Sequence, residues 1–278
     1  MRKIEKNKLT IVALSVNEDI LESKLMKTYY HVYNELKDKI SFQLVVYTQG
    51  FDYSFEVPRG VTVVRDDSQL GKSISVVRDY FTFKTQNEYP ADYLLFIDDD
   101  FKFREDSGLD IFYNIVYMDS FEDIGLINFK MTNKSCDNYK IYQEINPSFV
   151  YMRGGILVRD SAYHGWDLSD EGFPSCKYYE ESILASKIYY YGYKVYSSST
   201  HTVHRTTNTG LGKSIEREYE GREEQLVQGG RQQLCEIGWF TPSMKNGKPN
   251  YRVPCKITKD LVESHEFYEY NKGLTKAF

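Results

Sequence analysis

The apolar positions of the chain fall alternately into short β-branched runs and stretches with helical spacing. Lys8 to Val16 has an apolar centre and reads as a strand, and Glu22 to Leu36 then carries Leu25, Tyr29, Val32 and Leu36 at the spacing of a helix with one buried face. Phe42 to Thr48 and, after Pro58, Gly60 to Val64 repeat the strand pattern. Ser73 to Lys84 sets Ile74, Val77 and Phe81 on one side of a helix, and Tyr93 to Ile97 is an unbroken apolar run of the kind found in a central strand buried on both faces. This alternation predicts an α/β fold with a mixed, mostly parallel sheet flanked by crossover helices.

The second half keeps the alternation less regularly. Ile111 to Tyr117 reads as helix, Ile124 to Met131 as strand, and Phe149 to Arg159 as a strand interrupted by Gly154 and Gly155. Tyr179 to Tyr191 reads as a helix ended by Gly192, with a strand from Tyr193 to Ser197 after it. Beyond Thr206, polar and glycine-rich stretches surround a helix expected from Ile215 to Gln233, and the tail from Trp239 to Phe278 has no clear period. The expected organisation is one α/β domain over residues 1–206 and a C-terminal extension over 207–278.

Composition narrows the class without choosing a function. With 278 residues, 41% hydrophobic and 27% charged, the chain is an ordinary globular protein that can bury a large core. The net charge of -5 gives no overall positive field toward nucleic acid or membrane, though a local basic patch stays open. Cys136, Cys176, Cys235 and Cys255 are far apart with no CxxC pair, which argues against a zinc knuckle or disulfide framework and suits a reducing cytosol. The first apolar run ends at Asn17, Glu18 and Asp19 without a cleavage site, and no run reaches the roughly 20 apolar residues that cross a bilayer. The expectation is a soluble cytoplasmic protein, with no membrane and no protein partner inferred.

The segment richest in chemistry is Leu94 to Phe103, where an apolar strand runs into Asp98, Asp99 and Asp100. Side chains alternate along a strand, so Asp98 and Asp100 are expected to point one way and Asp99 another. Two hard oxygen ligands at the C-terminal end of a strand suit Mn²⁺ or Mg²⁺, and open α/β sheets bind ligands at that end. A solvated acidic turn, a phosphatase or a nuclease would carry the same triplet.

Other landmarks separate these readings. Asp66 to Tyr80 (DDSQLGKSISVVRDY), with Gly71 and Arg78, resembles the segment before the metal motif of family 2 glycosyltransferases. Met152 to Asp160 (MRGGILVRD), the acidic pair Glu180 and Glu181, and the histidine of HTVHRT are similar to later landmarks of that family in the same order. The resemblance spans roughly residues Leu9 to Arg205 and implies a GT-A, Rossmann-like fold. It further implies that a sugar passes from a nucleotide-sugar donor to an acceptor hydroxyl, with inversion. Asp98 and Asp100, completed by His204 with His201 as rival, would hold Mn²⁺ or Mg²⁺. Glu181 is the candidate base, with Glu180 the alternative because the family usually presents Glu-Asp there. Arg78 would contact the diphosphate, while Asn17, Thr48 and Asp99 would line the donor crevice and Gly154 and Gly155 would let the backbone approach the donor sugar. The donor is expected to be UDP-linked. Thr48 and Gln49 stand where the family carries its uracil-binding aspartate, so Asp66 or Asp67 would have to replace it.

VVRDYF, LLFIDDDF and EEQLVQGGRQQL also resemble phage glycosyltransferases that decorate hydroxymethylated pyrimidines in DNA. Between Arg231 and Lys259, basic residues including Arg231, Lys245 and Lys248 outnumber a single acid and interleave with Trp239, Phe240 and Tyr251, a strip that suits phosphate contacts. DNA is the acceptor this resemblance implies. The alternatives are a saccharide acceptor, as in surface-polysaccharide synthesis, a metal-dependent phosphohydrolase, and a non-catalytic nucleotide-binding module.

Overall fold

The computed structural model describes residues 6–70, 72, 74–131, 141–145, 147, 150–152, 154–166, 180–200, 202–204, 243–245 and 248–250, the last three spans and residues 131 and 190 by backbone alone. The helix expected at Ile215 to Gln233, together with Gly71, His201, Arg231 and Trp239, lies outside them.

Strand β1 (Asn7–Ser15) is followed by a helical run made of α1 (Glu18–Leu21), a π-helical turn (Glu22–Met26) and α2 (Lys27–Leu36). The run starts four residues before the hydrophobic spacing suggested, because Asn17 caps it: its side-chain oxygen accepts from the Ile20 amide at 3.2 Å, and Glu18 and Asp19 sit at the positive end of the dipole. Next come β2 (Phe42–Thr48), β3 (Val61–Arg65), α3 (Ile74–Glu88) and β4 (Ala91–Asp98). The second half contributes β5 (Phe101–Phe103), α4 (Ser107–Ser120), β6 (Ile124–Met131), β7 (Gln143–Glu144), β8 (Ile156–Arg159), α5 (Glu180–Tyr190), β9 (Lys194–Thr200), β10 (Thr202–His204) and the pair β11 (Ser243–Lys245) and β12 (Lys248–Asn250).

Eight strands form one sheet in the order β3-β2-β1-β4-β8-β6-β9-β7. The pairs β1–β2, β2–β3, β1–β4 and β6–β9 are parallel, so the sheet is mixed and mostly parallel. Antiparallel β8 joins β4 to β6, and β7 closes the far edge. One face packs against α1, α2 and α4 through Ile11, Val46, Leu95, Ile97, Tyr29 and Ile115. The other packs against α3 and α5 through Val12, Tyr47, Phe96, Phe81 and Leu184. Burial on both faces explains why β2, β4 and β6 read as continuous apolar runs.

Alternation along β1, β2 and β4 then fixes the direction of the polar residues at their ends. Ser15, Thr48 and Asp99 continue the α1/α2 face, while Asp98 continues the α3/α5 face. Gly125 sets the close approach of α5: a Cβ there would lie 2.6 Å from Ile188 Cγ2 and 2.7 Å from Tyr193 Cβ. The sequence pattern missed β5 and β10, which pair with each other antiparallel beside the acidic triplet, with Phe101 opposite His204.

Candidate active site

The C-terminal ends of β1, β2 and β4 meet at one edge of the sheet. In the register of the parallel strands Ser15 lies beside Thr48, and Leu14 beside Asp98. The acidic triplet therefore stands next to the ends of the first two strands, where a crevice opens in folds of this type.

The three aspartates divide between the faces. Asp98 turns toward α3 and accepts from Arg78 Nη2 at 3.0 Å. Asp99 turns the other way and its Oδ2 takes a 2.6 Å hydrogen bond from the Ser15 hydroxyl, joining the triplet to the β1 end. Burial, helped by the charges of Asp98 and Asp100, pushes the Asp99 carboxyl up to about 7 despite the serine bond. Asp100 follows in a turn, with Oδ1 buried. Its neighbour Phe101 is the residue paired with His204 in the β5–β10 ladder, so the backbone brings position 204 to the triplet. The side chain of His204 lies outside the described atoms. Among the described residues no three acidic, histidine or cysteine side chains form a metal cluster by themselves.

A carboxyl whose folded value exceeds its unfolded one stabilises the fold fully only below the unfolded value, and loses that contribution as pH rises through the folded value. The unfolded Asp99 value is 3.8 and the folded one about 7, which defines the window. In chelator the melting temperature is therefore expected to fall as pH rises from 5 to 8, measured by calorimetry. Ser15→Ala, which removes the hydrogen bond that lowers this carboxyl, steepens the fall.

Arg78 sits at the centre of the second face. Its side chain is only 10% exposed, and the guanidinium reaches Asp98 Oδ1 and Glu180 Oε1 at 3.0 Å each and Glu181 Oε1 at 3.9 Å. Its plane lies against Trp166, 5.0 Å from the ring, and Trp166 itself is fully buried edge-on to Phe96. The residue next to it, Asp79, accepts from the Tyr163 hydroxyl at 2.5 Å and the Trp166 amide at 2.7 Å. One turn of α3 thus grips the acid at the tip of β4, the start of α5 and the loop after β8. Asp79 and Trp166 carry no pattern that singles them out in the sequence, apart from the rule that a lone buried tryptophan anchors a core.

Glu180 and Glu181 form the first turn of α5. Glu181 Oε1 also receives the Met152 amide at 3.4 Å, from the loop that carries the MRGG motif. Burial and the adjacent Glu180 raise its carboxyl above the usual range, against the lowering pull of Arg78. Asn128 on β6 holds the same loop by donating to the Tyr151 carbonyl at 2.7 Å and accepting its amide at 3.4 Å. Gly155 in that loop has φ +98°, and a Cβ there would press on Leu95, Ile97 and Phe129 at 3.3–3.4 Å. Backbone conformation and the crowded core below therefore already require glycine at 155. Gly154 is buried beside it.

The remaining donor-site expectations fall at the β1 and β2 ends. Asn17 is 8% exposed and engaged as the α1 cap, and Thr48 is fully buried with its hydroxyl lacking a hydrogen-bond partner among the described residues. Asp66 uses both oxygens internally, one accepting from the Ser68 amide at 3.0 Å and the other from Lys84 at 2.6 Å. Burial raises its carboxyl, but these bonds outweigh it and hold the group at about 2. Asp67 binds the Gly50 amide at 2.7 Å and Arg65 at 2.8 Å. Lys245 and Lys248 are paired positions of the β11–β12 ladder, described by backbone alone.

No known family model matches the sequence, and no curated protein matches it either. Solved structures do. The mannosyltransferase PcManGT from Pyrobaculum calidifontis, in complex with GDP-Man and Mn²⁺, superposes with a TM-score of 0.54 at 14% identity, over 98% of this chain and 73% of that one. S. aureus TarS 1-349 in complex with UDP-GlcNAc superposes with a TM-score of 0.51 at 15% identity, over 83% of this chain and 66% of that one. These likenesses are of fold, and together with the sheet order they show the GT-A, Rossmann-like architecture.

Proposed function

We propose that this protein transfers a sugar from a nucleoside diphosphate sugar to an acceptor hydroxyl, with Mn²⁺ or Mg²⁺ as cofactor. The observation that carries the reading is the succession of Asp98, Asp99 and Asp100 at the tip of a buried strand, beside the ends of β1 and β2, with Arg78, Glu180 and Glu181 on the Asp98 side. The acidic part of the donor set fits a hard divalent cation: it offers carboxylate oxygens, and burial together with the charges of Asp98 and Asp100 already raises Asp99. Asp98 and Asp100 would hold the ion, with His204 the third ligand from its place opposite Phe101. When bound, such an ion stabilises the negative charge of a departing nucleoside diphosphate. That PcManGT was solved with GDP-Man and Mn²⁺, and TarS with UDP-GlcNAc, supports a nucleotide sugar in this crevice.

The chain's own residues supply the rest. Asn17, Thr48 and Asp99 border the donor, and the Ser15–Asp99 bond fixes the β1 end against the triplet. Asp66 and Asp67 are occupied by Lys84, Ser68, Gly50 and Arg65, so in this reading the base of the expected UDP-linked donor settles against the β1 and β2 ends rather than on either aspartate. Glu181 takes the proton of the attacking hydroxyl, and its raised carboxyl suits a base working near neutral pH. The outcome is inversion.

For the acceptor we propose the 5-hydroxymethyl group of a modified pyrimidine in DNA. The pairing of positions 245 and 248 in one ladder supports a phosphate contact by Lys245 and Lys248, with Arg231 and Trp239 proposed as further contacts from the same basic and aromatic stretch of sequence. The group projects into the major groove, so the enzyme enters that groove or flips the base. The test incubates the protein with UDP- and GDP-hexoses, Mn²⁺, and either hydroxymethylcytosine DNA or an oligosaccharide, followed by mass spectrometry. DNA gaining one hexose mass, with binding that weakens steeply in salt, is expected. Product on the saccharide alone overturns the DNA acceptor, and phosphate release without sugar transfer overturns the transferase.

A further inference from the structure

Two glutamates at the start of α5 compete for one role, and their surroundings differ. Glu180 is the more enclosed, its side chain 8% exposed against 17% for Glu181. Its Oε1 accepts from Arg78 Nη1 at 3.0 Å, and the other arm of the same guanidinium binds Asp98. Glu181 lies 3.9 Å from Nη1, beyond hydrogen-bonding distance, and takes a long 3.4 Å bond from the Met152 amide of the loop.

We propose that Arg78 is a positioning residue that clamps Asp98 at the tip of β4 to Glu180 on α5, and so sets Glu181 as the carboxylate open to the acceptor hydroxyl. The guanidinium is suited to this: it is planar, donates in two directions from fixed geometry, and keeps its charge when buried. Trp166 backs the plane and leaves the two arms as its polar outlets. Lysine, a point charge on a flexible stem, cannot serve both acids in one geometry. The clamp also brings Asp98, placed above as a cation ligand, into register with the helix that bears the base, although β4 and α5 are far apart in sequence. This assignment rests on the transferase reading for its chemistry, while the clamp itself is a property of the fold.

The experiment has two arms. In the first, thermal unfolding is followed in chelator for Arg78→Met, Glu180→Gln and the double variant. Removing the cation leaves buried carboxylates opposed, so Arg78→Met lowers the melting temperature, and adding Glu180→Gln recovers at least half of the loss. Additive losses overturn the clamp, and this arm needs no substrate. In the second, steady-state turnover of donor is compared between variants. Glu181→Gln lowers kcat by about a hundredfold or more, the scale of a general base, and Glu180→Gln lowers it by distinctly less. Arg78→Lys and Arg78→Met lower kcat with donor KM changed by less than about threefold, because a positioning loss is felt in the transition state. A large rise in KM at retained kcat assigns Arg78 to the diphosphate instead and overturns the proposal, as does Glu180→Gln being the more damaging change. Absence of turnover in the wild type overturns the transferase reading while the unfolding arm still decides the clamp.

Discussion

Asp100→Ala is expected to remove metal-dependent turnover of a nucleotide sugar, with kcat/KM falling by about a thousandfold or more. The magnitude follows from the task assigned to the site: a bound divalent ion supplies several kcal/mol of transition-state stabilisation, and each 1.36 kcal/mol is tenfold in rate. The fold should survive the change, because burial together with the neighbouring charges of Asp98 and Asp100 already disfavours the charged form of Asp99. Removing one relieves that strain, so the melting temperature in chelator is expected to hold or rise. Asp92→Asn is the control. Asp92 lies on the same strand but at its other end, half exposed and paired with Lys6 and Lys8, and turnover should be unaffected. Isothermal titration with Mn²⁺ and a coupled diphosphate-release assay give both readouts, and turnover by Asp100→Ala near the wild-type rate would falsify the metal assignment.

Trp166→Ala has the largest expected effect on stability, about 3–5 kcal/mol. The ring is completely buried, packs edge-on against Phe96, and covers the guanidinium of Arg78. The cavity would open directly beneath a buried cation, letting water reach the Arg78–Asp98–Glu180 contacts and weakening them. Unlike a remote cavity, this one is expected to lower kcat as well. Trp166→Phe keeps most of the packing and loses less of both. Urea unfolding together with donor turnover measures the pair. A stability loss with unchanged kcat would show that the tryptophan supports the core and nothing more.

Much of the fold was legible because burial on both faces leaves a simple signature. β2 and β6 begin and end where their apolar runs do, and Asp98 closes β4 where the run meets charge. Helix ends were less legible. α3 continues to Glu88 through an exposed last turn, and α4 starts at Ser107 with a first turn whose buried positions, Ser107, Gly108 and Asp110, are not apolar, so neither end carries a periodic signal. The early start of α1 could have been read from Asn17 followed by two acids, a capping pattern. The three-residue strands β5 and β10 were not legible, because each is stabilised by a partner that no local window contains.

At the site, the sequence order showed which residues belong together but not what each one touches. The acidic triplet was found from its place after a buried strand, and the split of Asp98 and Asp99 between faces followed from alternation. Arg78 was picked out as a diphosphate ligand, and its contacts to Asp98 and Glu180 had no counterpart in that expectation. A spacing pattern gives the face of a helix but cannot say which acids of a distant helix will meet it. Asp66, expected near the base, is drawn inward by Lys84 for the same reason. Gly155 was legible as glycine, and its positive φ with Leu95, Ile97 and Phe129 below it accounts for that residue on structural grounds.

The small β5–β10 ladder has a kinetic meaning. Its two strands are separated by roughly a hundred residues of chain, far more than the neighbouring strands of the first half, and such distant closures are slow to form. The nascent sheet can therefore assemble around β1, β2 and β4 while the position opposite Phe101 is still vacant of its partner. On the transferase reading, the position opposite Phe101 is therefore filled last, after the polypeptide has looped back on itself.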